Sequence, residues 1–510
     1  MIKSKIVRDT LLLTSMQLFL DTASLLLNVF ISRRLGTSAM GVIALTGTFL
    51  GLSGIIAGGN AYLCTSRLIS EELGKPHSSP EKVLAYGIRF CLILSVSTSA
   101  VIFLFAGGLS EHFFSGADMS GDIRLMPAAL ISGALAACLK GWFNACRKSS
   151  VTAAGDILEF IVRCAVIVFM TASAGEPDEG GVCGIMIAGI IAGNVVSLLF
   201  LGSMYVKTRE KGHYRCSITF RRYISLALPI MGGGILTAAL SSANDALIPV
   251  CLRQYGDSAG TALSLFGVFE AIVIPAIFFP SVILCSMSGI IVSETARAAA
   301  AGNRKRILDF SSKLVRWTLI YAVFASAVLM RFGSRIGEAM GGGELAGRMI
   351  TVIAPVVPFI YMEIVLEAVI KGLGMQAFSS LNYLCEYAVR ISAVLILVPR
   401  IGFWGIAVSY YASNVIGNCS RYAKLFREVG MEFRPFTSIG VPVLYAFLTM
   451  GTAGLIVRLI PVSGEPLWKA VLMAVIWGGG YFCVFRVFGR EVKIKKTAII
   501  FVDSAQQSGR

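Results

Sequence analysis

The fold class is decided by stretches such as VCGIMIAGIIAGNVVSLLFLGSMYV, residues 182–206, which contains no charged side chain. An apolar run of about 20 residues is long enough to cross the hydrocarbon core of a bilayer as one α-helix. Hydrophobic residues make up 56% of the 510-residue chain and charged residues only 15%, whereas soluble domains carry about 25% charged residues. We therefore predict a polytopic membrane protein and exclude a soluble enzyme, a disordered chain and a secreted disulfide scaffold.

Similar runs recur along the chain and predict an all-α fold with about fourteen transmembrane helices. The predicted spans are residues 10–31, 41–69, 84–106, 123–146, 153–174, 182–206, 224–253, 261–292, 314–332, 346–370, 378–399, 404–426, 437–460 and 467–488. Residues 1–8 have the charged start of a signal peptide but no convincing cleavage site follows. We interpret the first span as a retained helix.

The net charge of +16 has two interpretations, a nucleic-acid or anionic partner, or the positive charge of cytoplasmic loops. Lys and Arg are concentrated in alternate loops, above all at 207–222 and 297–313, whereas the loop 175–181 has none. The asymmetry is roughly seven to one and predicts that both termini are cytoplasmic. It explains most of the excess charge, so we expect no nucleic-acid partner.

The residues that commonly build catalytic or metal sites form no recognisable pattern. The 12 cysteines contain no C-x-x-C motif, the three histidines no H-E-x-x-H spacing, and the chain no G-x-x-x-x-G-K-[ST] motif. We therefore expect no catalytic residue, metal or cofactor, no direct use of ATP, and no enzymatic activity.

The two halves of the chain resemble each other at an offset of roughly 220 to 231 residues. The matched pairs, in the same order, are residues 34–39 with 254–259, 69–71 with 292–294, Arg89 with Arg316, 140–141 with 371–372, 159–163 with 386–390, and 184–195 with 405–415. Each copy holds six spans, an even number, so the copies run parallel, and such repeats place substrate at their interface. We predict an N-terminal lobe at 1–222, a C-terminal lobe at 223–435, two added helices at 436–488 and a cytoplasmic tail at 489–510.

Short motifs then indicate a family. ISRRLG at 31–36 is similar to the end of the first helix in polysaccharide flippases, and LALP at 226–229 followed by Asn244-Asp245 is similar to the start of a lobe. The sequence resembles the multidrug/oligosaccharidyl-lipid/polysaccharide exporter superfamily, and within it the fourteen-span branch of stage V sporulation protein B and the polysaccharide and lipid II flippases. The multidrug and toxic compound extrusion (MATE) branch typically has twelve spans. The resemblance implies two six-helix lobes in a V-shaped, MATE-like fold. Lipid II flippases carry further arginines in the first helix, where residues 20–28 here read LDTASLLLN.

Charged residues inside the spans are the candidates for function, because a charge in the bilayer is costly. Two pairs, Glu159 with Arg163 and Glu386 with Arg390, are spaced to meet on one helix face. Either these pairs neutralise each other, or the arginines bind substrate phosphate. The pair Glu367 and Lys371 at a cytoplasmic end is predicted to be neutralising.

Four acidic residues have no partner at helical spacing. Asp21, and Asp245 beside Asn244, lie in the first helix of each lobe, which the resemblance implies lines the central cleft; the alternative is a polar packing contact. Glu270 and Glu363 are candidates to carry a coupling proton or to bind Na⁺. The ion-coupling candidates are therefore Asp21, Asp245, Glu270 and Glu363.

These observations lead to one principal hypothesis, an alternating-access transporter in the bacterial cytoplasmic membrane that flips a lipid-linked, anionic glycan. Its partners would be this polyprenyl-diphosphate sugar, membrane lipids and a coupling ion. The substrate-binding candidates are Arg33, Arg34, Arg67, Arg163, Arg390 and Asn244. The alternatives are a multidrug exporter coupled to H⁺ or Na⁺, favoured by a negative cleft, and a membrane scaffold that does not transport.

Overall fold

The computed structural model describes residues 2–73, 79–113, 119–173, 179–208, 218–431, 436–459 and 469–486. Nearly all of these residues are helical, and none of them lies in a β-strand. The predicted tail at 489–510 lies outside the described residues, as does most of the acidic loop at 175–181.

Nineteen helices make up the described part of the chain. In the first half they are α1 (Ile2–Gly58), α2 (Ala61–Leu73), α3 (Pro80–Leu104), α4 (Ala106–Phe113), α5 (Ser120–Ile123), α6 (Met126–Ala145), α7 (Ser149–Ser173), α8 (Glu179–Thr208), α9 (Phe220–Tyr255) and α10 (Ala259–Gly267). They continue as α11 (Ile274–Phe278), α12 (Val282–Ala300), α13 (Arg304–Ala339), α14 (Gly343–Ile353), α15 (Val357–Gly372), α16 (Gln376–Ile401), α17 (Trp404–Val429), α18 (Val441–Leu459) and α19 (Lys469–Arg486). Short π-helical segments occupy Val268–Val273 and Phe436–Gly440, and 3₁₀ turns occupy Phe279–Ser281 and Ala354–Val356.

The prediction of an all-α polytopic membrane protein is confirmed. Eleven helical stretches of the described chain are long and apolar enough to cross a membrane, and the first of them, Ser15–Leu73, has 59 residues, enough for two passes. The helices α7 and α17 have 25 and 26 residues and are also long enough to span, although they carry more charge. Together these passes agree with the predicted number of about fourteen.

The first two predicted spans are joined differently from the prediction. Residues between them, expected to form a loop, continue the helix α1, which bends at Gly36 (φ 83°, ψ 177°). The second predicted span is instead interrupted at Gly59 and Asn60, which both have positive φ. Hydropathy located the apolar runs, but it contains no information about where the backbone leaves helical geometry.

The chain separates into two compact units. The first comprises Met1–Ser286, Gly337–Met349 and Gln376–Gly417, and the second comprises Met287–Ile336, Ile350–Met375 and Asn418–Arg510. The core of the first unit includes a cluster around Phe143 and Tyr223, and that of the second is built on Trp477 and Tyr481. The repeat-based boundaries after residues 222 and 435 remain predictions.

Candidate transport site

Three of the predicted charged residues interact electrostatically in the first unit, and Asn244 is hydrogen-bonded to one of them. Asn244 and Asp245 lie on α9, Glu270 on the π-helical segment, and Arg390 on α16. Asn244, Asp245 and Arg390 are buried. The charge of Arg390 acts on both Asp245 and Glu270, and the two carboxyl groups act on each other. We call these four residues together with Glu386 the buried charge cluster.

The guanidinium of Arg390 is held from several sides. Its Nη2 donates to Oε1 of Glu386 at 3.2 Å and its Nε donates to the hydroxyl of Ser413 at 3.0 Å. The rings of Tyr387 and Tyr410 lie 5.0 and 4.5 Å from its Cζ, within the range of cation–π attraction. The predicted pair of Glu386 and Arg390 therefore forms, and contacts from α17 fix its arginine as well.

The Asp245 carboxylate is bound by neighbours of different helices. Thr48 of α1 donates to Oδ2 at 3.1 Å, and the amide of Asn244 donates to Oδ1 at 3.2 Å. The amide oxygen of Asn244 is buried and has no hydrogen-bond partner within the described chain. This arrangement leaves Asn244 an acceptor that a hydroxyl or amide donor would satisfy.

The buried charge cluster contains three carboxyl groups and one guanidinium. Full ionisation would leave a net charge of −2 in a poorly hydrated site, which is strongly unfavourable. Protonation of a carboxyl group, or a cation from solution, relieves it. The described residues contain no group of three or more His, Cys, Asp or Glu side chains placed to hold a metal ion. With three carboxyl groups and one guanidinium, the cluster favours a proton or a cation over an anion.

Asp21 lies apart from this cluster, on a cavity of about 710 Å³. The amide of Gln17 donates to its Oδ1 at 2.9 Å. Residues of α1 form one wall of the cavity, and residues of α11, α12 and the turn between them form the other. The lining contains an acidic residue and no basic residue.

Arg163 is neutralised within its own network. Glu159 accepts hydrogen bonds from Arg163 at Oε1 and, at 2.8 Å, from Lys140 of α6 at Oε2. Lys140 also pairs with Asp156 at 2.7 Å. The predicted pair of Glu159 and Arg163 forms, and Lys140 and Asp156 are members of the network that were not predicted. The available signal was the position of Lys140 late in one predicted span and of Asp156 and Glu159 early in the next.

Glu363 also has a partner that the sequence analysis missed. Arg421 of α17 donates to Glu363 at 2.9 Å and to Glu367 at 3.3 Å, and only 1% of its side chain is exposed. Lys371 pairs with Glu367 at 3.3 Å, as predicted. The available signal was an arginine that follows twenty uncharged residues, 401–420, but no local spacing connects it to α15.

The remaining arginines lie outside the buried charge cluster. Arg33, Arg34 and Arg67 are exposed, and Arg33 donates to the carbonyl oxygen of Ala339 at 2.7 Å. The structure thus brings Asn244, Asp245, Glu270 and Arg390 together and places Asp21, Arg33, Arg34, Arg67, Arg163 and Glu363 elsewhere.

Membrane-spanning helices, a cavity lined in part by polar side chains and buried ionisable residues are features found in polytopic membrane transporters. No family model matches the chain. Stage V sporulation protein B of Bacillus subtilis (strain 168) is 21% identical over 440 residues, covering 82% of each protein. The structure of the lipid II flippase MurJ in its inward closed conformation superposes with a TM-score of 0.71 at 13% identity, covering 94% of this chain and 99% of MurJ.

A second solved structure has a related fold. The MATE multidrug transporter DinF-BH superposes with a TM-score of 0.61 at 16% identity over 82% of this chain and 95% of that protein. The predicted resemblance to the exporter superfamily is therefore confirmed. The chain has the fold that the lipid II flippase and the MATE transporters share.

Proposed function

We propose that this protein is an alternating-access transporter that flips a polyprenyl-diphosphate sugar across the bacterial cytoplasmic membrane, with both termini in the cytoplasm. The observation that carries the proposal is the match to the lipid II flippase, which includes 94% of this chain and extends beyond the part matched by the MATE transporter. The sequence similarity to stage V sporulation protein B supports the same branch. The chain acts as a transporter and not as an enzyme.

The buried charge cluster supplies the coupling in this proposal. Asp245, Glu270 and Arg390 interact electrostatically. A change in the position of one of them therefore alters the free energy of protonating the two carboxyl groups. A rearrangement of α9 against α16 therefore exchanges protons with the solvent. Asp21 and Glu363 remain candidates for the same role, and Na⁺ is the alternative ion.

Cationic side chains bind the diphosphate. Arg34 and Arg67 are exposed, and Arg33 keeps donors beyond its contact with Ala339. Arg163 and Arg390 act on the substrate only when their acidic partners are displaced or protonated. Phosphate recognition by arginine is strong because the guanidinium donates two parallel hydrogen bonds.

The polyprenyl tail is accommodated separately, in the second unit. A cavity of about 450 Å³ is lined by α13, α15, α18 and Trp477 of α19, and its side chains are mostly apolar. Met330, Phe359 and Phe447 contribute to this lining. A hydrocarbon chain binds favourably in such a cavity because the apolar surfaces of both are removed from water.

The test is reconstitution of the full chain in liposomes with a labelled polyprenyl-diphosphate sugar. We expect Arg390→Ala and Arg163→Ala to lower the rate of headgroup movement by about tenfold or more, since both arginines bind the diphosphate in this proposal. Arg390→Ala also leaves the carboxyl groups of the buried charge cluster without counter-charge. Arg348→Ala is the matched control because Arg348 is exposed and pairs only with Glu344 in the described chain. Wild-type rates in both variants would remove these two arginines from the mechanism.

A second candidate, export of lipophilic cations, is favoured by one observation. The cavity beside Asp21 contains an acid and no base, which suits a cation electrostatically. The same liposomes loaded with a cationic dye distinguish the two functions. Movement of the labelled lipid without the dye supports the flippase, movement of the dye alone supports the exporter, and movement of neither supports the scaffold.

A further inference from the structure

The cavity beside Asp21 has one wall of regularly spaced polar side chains. Gln17, Asp21, Ser24 and Asn28 are separated by four, three and four residues and all line the cavity. This spacing places them on one face of α1, over a length of roughly 16 Å. The set offers amide, hydroxyl and carboxylate groups in a row, and it contains no cation.

The opposite wall is mainly apolar and is made by a broken helix. The hydroxyl groups of its two serines, Ser281 and Ser286, donate to backbone carbonyl oxygens of the same wall. Pro275, Phe278, Phe279 and Val282 line it, where α11 ends, a 3₁₀ turn follows and α12 begins. Irregular backbone at membrane depth is tolerated where protein buries it or where it lines a water-filled cavity. Transporters bind their substrates at such interrupted helices. The break is therefore independent support for a ligand site here.

The charge and hydrogen-bonding capacity of the lining restrict what it binds. A phosphate is excluded because the lining has one carboxylate and no basic side chain. A lipophilic cation would pair with Asp21 but would remove water from Gln17, Ser24 and Asn28 without replacing their hydrogen bonds, which is unfavourable. An uncharged ring with several hydroxyl groups can form hydrogen bonds with the polar side chains of α1. Its carbon face can pack against Phe278 and Phe279.

We propose that this cavity binds an uncharged sugar ring of the lipid-linked substrate, with its hydroxyl groups on the polar row of α1 and its carbon face on Phe278 and Phe279. The inference rests on the proposed function and adds that separate groups of side chains bind the two parts of the substrate headgroup. The glycan is recognised here, and the diphosphate is bound by arginines elsewhere. Specificity for the sugar therefore depends on neutral side chains.

Two probes separate these parts of the substrate, a polyprenyl diphosphate without sugar and a polyprenyl diphosphate carrying one N-acetylglucosamine. Binding of each to the full chain in lipid nanodiscs is measured for Ser24→Ala and Phe278→Leu. We expect both variants to weaken the sugar-bearing probe by about fivefold or more and to leave the sugar-free probe within about twofold. Ser203→Ala and Phe105→Leu are matched controls at exposed positions outside the cavity.

Asp21→Asn distinguishes a sugar site from a cation site. Asparagine keeps an acceptor oxygen without charge, so the sugar-bearing probe should bind within about threefold of wild type. The proposal would be overturned if the wild-type protein bound a cationic dye and Asp21→Asn abolished that binding. It would also be overturned if Ser24→Ala and Phe278→Leu weakened the two probes equally. If the wild-type protein binds neither probe, the proposed function fails. This outcome differs from failure of the sugar site alone, which appears only when the variants are compared with wild type.

Discussion

Arg421 illustrates how a single buried charge can be essential to the packing of a membrane protein. Its guanidinium contacts Glu363 and Glu367, and its side chain is almost completely shielded. Three residues further along α17, Lys424 pairs with Glu428 at 2.8 Å, but about a third of its side chain is exposed. The two cations therefore share a helix and differ mainly in burial.

We expect Arg421→Gln to lower the free energy of unfolding by about 3 kcal/mol, because it removes the counter-charge of Glu363 and leaves Glu367 paired with Lys371 alone. Lys424→Gln should cost less than about 0.5 kcal/mol, since water and salt screen an exposed pair. Denaturant unfolding of the purified chain in detergent measures both.

The double variant Arg421→Gln with Glu363→Gln checks the cause. If uncompensated charge is the reason, removing one acid should recover part of the lost stability. A double variant less stable than Arg421→Gln alone would contradict this explanation and would indicate that hydrogen bonding of Glu363 to other groups matters more.

At the scale of elements, the contact between α1 and α10 depends on two glycines, which have no side chain. A Cβ on Gly267 would overlap the backbone nitrogen of Gly41 and the carbonyl oxygen of Thr37. A Cβ on Gly41 would in turn overlap the carbonyl oxygen of Leu263. The two backbones therefore touch, as small residues allow in membrane helix pairs.

Gly267→Ala should separate these helices and lower the yield of folded protein severalfold, because backbone atoms cannot move aside as side chains do. The matched control is Gly260→Ala on the same helix α10, where no atom lies within 4 Å of the added methyl group. Alanine there should be neutral or stabilising by up to about 1 kcal/mol. Monodispersity in size-exclusion chromatography measures the outcome, and equal behaviour of the two variants would refute the close contact.

Helices were the part of this fold that the sequence predicted best, since hydropathy and helix length are local properties. The predicted spans 378–399 and 404–426 lie within α16 and α17. The breaks were not predicted. The span 261–292 overlaps α10 and α12 and includes a π-helical segment, α11 and a 3₁₀ turn between them. Pro275 and Pro280 remove backbone hydrogen bonds there, which an apolar pattern does not report.

For the whole molecule, the distribution of Lys and Arg predicts which loops face the cytoplasm. Gln254 and Ala301 are exposed residues at the two ends of a predicted membrane crossing. A membrane-impermeant maleimide should label Gln254→Cys in intact cells and Ala301→Cys only after permeabilisation. The unmodified chain, with its own 12 cysteines, supplies the background, and labelling of Ala301→Cys in intact cells would invert the orientation.

The candidate site was only partly predictable because its partners are remote in sequence. Intramembrane charge alone identified Asp245, Glu270 and Arg390, which the fold brings together across a separation of up to 145 positions. Pairs four residues apart, such as Glu386 and Arg390, were predicted because helix geometry fixes them. Tyr410 and Ser413 were missed because nothing local to them indicates that they meet Arg390.

Gly36, at the bend of α1, should show an unusual pattern of tolerance to substitution. Its backbone conformation, φ 83° with ψ 177°, is reached almost only by glycine, yet no atom lies within 4 Å of where a Cβ would be. In a saturation mutational scan this exposed position should tolerate no replacement, a profile usually taken as evidence of a packed or ligand-binding residue. Here the intolerance would report torsion angles alone.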